Sequence, residues 1–211
     1  MIKLAAFDLD GTIADTIPLC IEAFGEAVSP YAGHTLSREE IVQTFGLNEV
    51  GMVKAVVRDR WEEALADFYR IYEARHAQCE KPFEGIIPLI RGLKARGVTV
   101  AMITGKAEES CHITLKRLGL GGLFADVKTG SEFKNCKKDS LLFLMDKYGL
   151  SPEECVYVGD AVSDVTAAGG AGVRCLSAAW SSSAEVERLR EVNPGRVYES
   201  IPEFAQALEA L

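Results

Sequence analysis

The first apolar run of the chain, Ile2 to Phe7, is short and unbroken, the pattern of a strand buried on both faces. It ends abruptly in Asp8-Leu9-Asp10-Gly11-Thr12. The segment Ile13 to Pro18 leaves the strand, and from Leu19 to about Lys81 the periodicity is helical, with no alternating stretch between. Within it, Ser37-Arg38-Glu39-Glu40 has capping-box spacing and predicts a helix to about Phe45, with Gly46 as its stop and a second start at Asn48. The longest helix is predicted from about Trp61 to Cys79, where Trp61, Leu65, Phe68, Ile71, Tyr72 and Arg75 recur at three and four to give one stripe, read as core.

Pro82 ends that segment, and beyond Gly85 helical and strand patterns alternate. Helices are expected at about Pro88–Arg96, Ala107–Leu118, Asp139–Tyr148, Val165–Ala168 and Ala184–Glu191, with a last one from Pro202. Strands are expected at Val98–Ile103, Ala125–Thr129, Cys155–Val158, Val173–Leu176 and near Val197. Ser151-Pro152-Glu153-Glu154 adds a capped turn with proline at its first helical position. Alternation of this kind is the signature of a parallel sheet with crossover helices, so the expected class is α/β with an inserted block of helices.

Composition narrows the partners. The 211 residues are 48% hydrophobic, enough for a sizeable core, and a formal net charge of −8 with pI near 5.0 argues against nucleic acid or an anionic membrane as partner. No apolar run approaches a membrane span, and Met1-Ile2-Lys3 enters a strand directly without a secretory signal, so the cytoplasm is the expected compartment. Six cysteines, at 20, 79, 111, 136, 155 and 175, have no C-x-x-C spacing and read as reduced thiols. His34, His76 and His112 are isolated and are expected on the surface or in packing. A monomer or a homodimer is expected.

The chemistry lies where strands end. In a doubly wound sheet, ligands bind at the carboxyl ends of the strands, beside the reversal of strand order. Three apolar strands end in polar groups suited to phosphate: Asp8 and Asp10, then Thr104, then Asp160 with Asp164 beyond. Asp8 and Asp10 converge if the strand continues or if Gly11 and Thr12 turn the chain. Two carboxylates at about 4 Å then repel by about 4 kcal/mol at an effective dielectric near 20, a cost that calls for a cation or a shared proton. A phosphomonoester dianion beside four carboxylates needs cations, for which magnesium and a lysine are the natural choices. Asp8 then serves as nucleophile, Asp10 as acid and base, and Thr104 as a hydrogen-bond donor to the phosphoryl group.

These motifs, Asp8-Leu9-Asp10-Gly11-Thr12 with Ala14-Asp15-Thr16, Ile103-Thr104-Gly105, a lysine before the helix at Asp139, and Gly159-Asp160-Ala161-Val162-Ser163-Asp164, occur in the order that resembles the haloacid dehalogenase (HAD) superfamily, its phosphoglycolate phosphatase-like branch above all. The resemblance spans essentially the whole chain. It implies a Rossmann-like catalytic core of residues 1–15 and 83–211 with an all-helical cap domain of residues 16–82, and a magnesium-dependent phosphatase acting on a small phosphorylated metabolite through an aspartyl-phosphate. It also implies that the Asp8 side chain, the Asp10 backbone carbonyl and Asp160 hold Mg2+, with Asp164 in support, and that Thr104, Gly105 and a lysine bind phosphate. Lys134, Lys137 and Lys138 are the candidates for that lysine; counting back from Ser151-Pro152 favours Lys137, with Lys138 next. Lys106 is a further candidate phosphate contact, Phe45-Gly46-Leu47-Asn48 are candidate specificity elements, and Trp180 either faces the site or packs. A sugar-phosphate phosphomutase of the same superfamily is the first alternative, and a phospho-acceptor signalling module the second. Dehalogenation and a dinucleotide site fit poorly, the latter because Gly169, Gly170 and Gly172 do not make the G-x-G-x-x-G fingerprint.

Overall fold

The computed structural model describes residues 1–209. At its centre β1 (Leu4–Phe7) pairs in parallel with β2 (Thr99–Ile103) on one side and β4 (Cys155–Gly159) on the other. With β3 (Asp126–Lys128), β5 (Arg174–Ala178) and β6 (Val197–Tyr198) the order is β3-β2-β1-β4-β5-β6, all parallel. The chain builds outward from β1 to β3 and then returns to lay β4 on the other side of β1, so the reversal point falls at the carboxyl ends of β1 and β4.

Alternation along the strands sends side chains to two layers. Ala5 and Phe7 join one cluster with Ile90 and Leu93 of α5 (Ile86–Ala95) and Phe204 and Leu208 of α10 (Ile201–Glu209); Phe7 meets Phe204 edge-on at 6.5 Å. Leu4 and Ala6 join the other with Leu141 and Leu144 of α7 (Lys137–Tyr148) and Ala168 of α8 (Val162–Gly170). The remaining crossover helices are α6 (Glu108–Arg117) and α9 (Val186–Val192). Among the described residues no helix is long and apolar enough to cross a membrane.

Four helices stand between β1 and α5: α1 (Ile17–Ala32), α2 (Arg38–Val42), α3 (Glu49–Val56) and α4 (Trp61–Arg75). α1 and α4 lie against each other with Phe24 meeting Phe68 at 5.8 Å. The predicted stripe on α4 is buried at Phe68 and Tyr72 and half-buried at Trp61, Leu65 and Ile71, but Arg75 falls outside it and pairs with Glu22 at 3.2 Å and Glu26 at 2.5 Å. Its last predicted residues form a separate 3-10 turn, His76–Gln78.

Other boundaries shift for local reasons. α2 has both halves of its capping box but stops at Val42, where the Thr44 hydroxyl bonds back to the Ile41 carbonyl at 2.6 Å. α5 begins two residues before the expected Pro88, because proline is tolerated in a helix's first turn. α7 begins at Lys137 rather than Asp139, since the Asn135 side chain accepts the Lys137 N–H at 3.0 Å and starts the helix early.

Candidate active site

β1 stops at Phe7, and the turn after it does the converging. The N–H groups of Thr12, Ile13 and Ala14 all donate to the Leu9 carbonyl, while Gly11 takes φ +72°. That φ suits glycine, and so does the space: a Cβ there would lie 2.1 Å from Asp160 Oδ2. Asp8 is held by its own N–H to the Val158 carbonyl at 2.8 Å, and its Oδ1 accepts the Leu9 N–H at 2.7 Å. Asp10 accepts a hydrogen bond from the Thr16 hydroxyl. Asp8, Asp10 and Asp160 line one cavity.

Of the three lysine candidates, Lys137 enters that cavity. Its ammonium donates to Asp8 Oδ2 at 2.5 Å and Asp164 Oδ1 at 2.6 Å. Lys138 is a correction: one residue along the helix, about 100° around its axis, it is exposed and runs its stem past Gly170, outside the cavity lining. Lys134 is exposed and pairs with Asp139 at 2.6 Å. Asp164 is fully buried; Oδ1 also accepts the Tyr157 hydroxyl at 3.2 Å and Oδ2 accepts the Ala161 N–H at 3.0 Å, closing the first turn of α8.

Asp8, Asp160 and Asp164 each offer an oxygen within 4.8 Å of the others, all buried. Burial pushes Asp8 up to about 7 despite the pull of Lys137, with Asp164 and Asp10 raising it further. Burial likewise lifts Asp160 well above the carboxylate range, helped by Asp164 and Asp8. Three buried carboxylates against one bonded ammonium form an all-oxygen donor set short of positive charge, which suits a hard divalent cation such as magnesium.

Thr104 is fully buried, accepts the Lys106 N–H at 3.2 Å on its hydroxyl, and is not part of the cavity lining; Gly105 and Lys106 are. Lys106 places its ammonium 3.3 Å from Asp10 Oδ1 and 3.6 Å from Glu49 Oε1, and over the Tyr72 ring at 4.5 Å, with no hydrogen-bond partner. Glu49, from α3, is 2% exposed and accepts the Ala107 N–H at 2.5 Å and the Ser110 hydroxyl at 2.6 Å, so it caps α6 from across the molecule. Sequence reading missed it, because an acid in a helix's first turn is usually solvated there.

Around it α3 meets the loop before α7 through backbone. The Asn48 N–H donates to the Ser131 carbonyl at 2.9 Å, and a Cβ on Gly51 would lie 2.4 Å from the Glu132 carbonyl oxygen. Phe45, Gly46 and Leu47 line the cavity, whereas Asn48 turns to the Gly130 carbonyl at 3.3 Å. Trp180 packs: its indole N–H donates to the Thr12 carbonyl at 3.0 Å, and its ring lies 5.4 Å from Phe204. All six cysteines are free. Cys20 lines the cavity, but burial pushes its thiol up to about 12, so it is no nucleophile.

The cavity holds about 180 Å³, below the roughly 300–1,000 Å³ of drug-sized ligand sites. It therefore admits a small molecule. A parallel α/β sheet that gathers acids and two buried lysines, Lys106 and Lys137, at the carboxyl ends of its strands suits a phosphate group held beside a cation. The family model for haloacid dehalogenase-like hydrolases matches residues 5–178, and the chain belongs to that family as an enzyme of its phosphatase kind. Phosphoglycolate phosphatase 1 of Pseudomonas aeruginosa is 32% identical over 187 residues, 83% of this chain and 68% of its own. Pyrophosphatase PpaX of Halalkalibacterium halodurans is 27% identical over 96% of this chain and 95% of its own. Among solved structures, a hydrolase from Pseudomonas syringae superposes with a TM-score of 0.82 at 23% identity, covering 99% of both chains. Phosphatases of this family generally use a divalent metal.

Proposed function

We propose that this chain hydrolyses a small phosphomonoester, of the size of phosphoglycolate, with Mg2+ and through an aspartyl-phosphate on Asp8. The observation that carries the reading is the Lys137 ammonium bridging Asp8 and Asp164 with Asp160 alongside. Residues 1–15 and 83–211 act as the catalytic core, residues 16–82 as a cap over it, and the cytoplasm as the compartment. The Asp8 and Asp160 side chains and the Asp10 carbonyl would hold the cation, with Asp164 in support. Bound there, it would screen the dianion from the acids and polarise a phosphoryl oxygen.

The chain's own groups do the rest. An Asp8 carboxylate oxygen attacks phosphorus, the bond to the leaving oxygen breaks, and Asp10 gives that oxygen its proton. Asp10, now a carboxylate, takes a proton from water; the hydroxide attacks phosphorus and the Asp8–phosphorus bond breaks, releasing inorganic phosphate. Lys137 aims Asp8 through its hydrogen bond and favours its ionised form against the pull of burial. The Thr104 hydroxyl, the expected phosphoryl donor, lies behind the cavity wall and instead accepts the Lys106 N–H, fixing the turn on which Gly105 and Lys106 line the cavity.

Phosphate release from a panel of small phosphomonoesters and pyrophosphate, with and without Mg2+, tests this reading. Mg2+-dependent release that disappears in Asp8→Asn supports it. Stable labelling of Asp8 by acetyl phosphate without turnover would replace it with a phospho-acceptor, and isomerisation without release with a phosphomutase. Pyrophosphate is on the panel because the PpaX relative matches nearly the whole chain.

A further inference from the structure

Lys106 is 4% exposed and lines the cavity, and its ammonium makes no hydrogen bond. Burying an ammonium costs several kcal/mol unless charge and geometry compensate. Here the compensation comes from two acids on opposite sides of a seam: Asp10 on the loop after β1, at 3.3 Å, and Glu49 on α3, at 3.6 Å. Glu49 is itself fixed, by the Ala107 N–H and the Ser110 hydroxyl at the start of α6, the helix that Lys106 leads into. The Tyr72 ring of α4 closes a third side.

We propose that Lys106 is the positioning residue for Asp10, and that Glu49 keeps it at working distance, so that α3 must be docked for the acid to be aimed. This rests on the reading of Asp10 as the group that protonates the leaving oxygen. Asp10 lines the cavity, and one of its oxygens, Oδ1, takes both the Thr16 hydroxyl and, at 3.3 Å, the Lys106 ammonium. With Glu49 balancing it, the ammonium stays between the two acids. Without Glu49 it moves onto Asp10 and turns the carboxyl away from the leaving oxygen.

The experiment compares kcat/KM for ethyl phosphate and 2,2,2-trifluoroethyl phosphate, which differ little in size but greatly in the need for a proton on the leaving oxygen. Because kcat/KM ends at the first irreversible step, later loss of the phosphate from Asp8 does not mask the result. General acid catalysis contributes about 10²–10⁴-fold, so in Lys106→Met the ethyl ester should lose at least about tenfold more than the trifluoroethyl ester. Lys106→Arg should restore most of the difference, and Glu49→Gln should reproduce about threefold of it with Lys106 intact. Equal losses on both esters, in Lys106→Met or in Glu49→Gln if the former does not fold, would overturn the proposal. So would a rise in KM alone, which would make Lys106 a substrate contact. Asp8→Asn is the control: if it retains activity, the reading of the reaction fails, whereas an inactive Asp8→Asn with equal ester losses overturns only the role of Lys106.

Discussion

Two lysines are buried in one cavity and are treated in opposite ways. Lys137 donates to two carboxylates at 2.5 and 2.6 Å, one at the end of β1 and one in the first turn of α8, both fixed to the sheet. Lys106 donates to none and hangs between two acids at 3.3 and 3.6 Å, one of them on α3. The sheet side is a locked set of charges, complete in the core. The helical side is assembled where Glu49 of α3 meets the start of α6. On the proposed roles, the fixed chemistry falls to Lys137 and the aim of Asp10 to Lys106.

The strongest way to break this division is on the sheet side. Asp8→Asn should lower phosphate release by at least about 10⁴-fold, as loss of a covalent nucleophile does, with an unchanged far-ultraviolet circular dichroism spectrum. Lys137→Met should follow: a buried acid pair stripped of its cation costs about 3–5 kcal/mol, seen as a lowered Tm together with loss of turnover. Adding Mg2+ at about 100 times its dissociation constant should stabilise the wild type by about 2.7 kcal/mol, and chelation should reverse both that gain and activity. In Asp160→Asn the Tm gain should shrink, and an undiminished one would remove Asp160 from the cation site.

Weaker changes sharpen the contrast. Tyr72→Phe removes the hydroxyl that meets Thr114 Oγ1 at 2.8 Å between α4 and α6, and should cost about 1 kcal/mol, read as a small fall in Tm. His76, chiefly because of burial, titrates below its ordinary value in the folded protein. Its stability is present above the unfolded value near 6.5 and is lost as pH falls below it. The fall in Tm between pH 7 and 5 should therefore be shallower in His76→Gln. Lys134→Ala and Lys138→Ala, both exposed, should leave kcat/KM within about twofold, since isolated surface charges contribute little.

Much of this was legible from residue order, and unevenly so. The centre of the sheet was, because β1 and β4 are short apolar runs that lead directly into Asp8 and Asp160, and because Asp8, Asp160 and Asp164 sit in local motifs. Lys137 was legible only by counting, since three lysines stand within five residues and the Asn135 contact that starts α7 decides which one points inward. Glu49 was not legible at all: its burial depends on Ala107, 58 residues away, and nothing near Asn48 signals that pairing. Arg75 misled for the opposite reason, being in phase with a stripe whose edge is in fact charged.

Gly51 carries one last consequence. Where α3 meets the loop before α7, the fit is main chain against main chain, with only 2.4 Å between a would-be Cβ and the Glu132 carbonyl oxygen. A single methyl placed there acts as a doorstop. Gly51→Ala should prop the helical half ajar, letting solvent reach Glu49 and Lys106 while Asp8, Asp164 and Lys137 stay together, and hydrogen exchange at the first turn of α6 would report it. The catalytic distances of this enzyme are thereby answerable to the smallest residue on its seam.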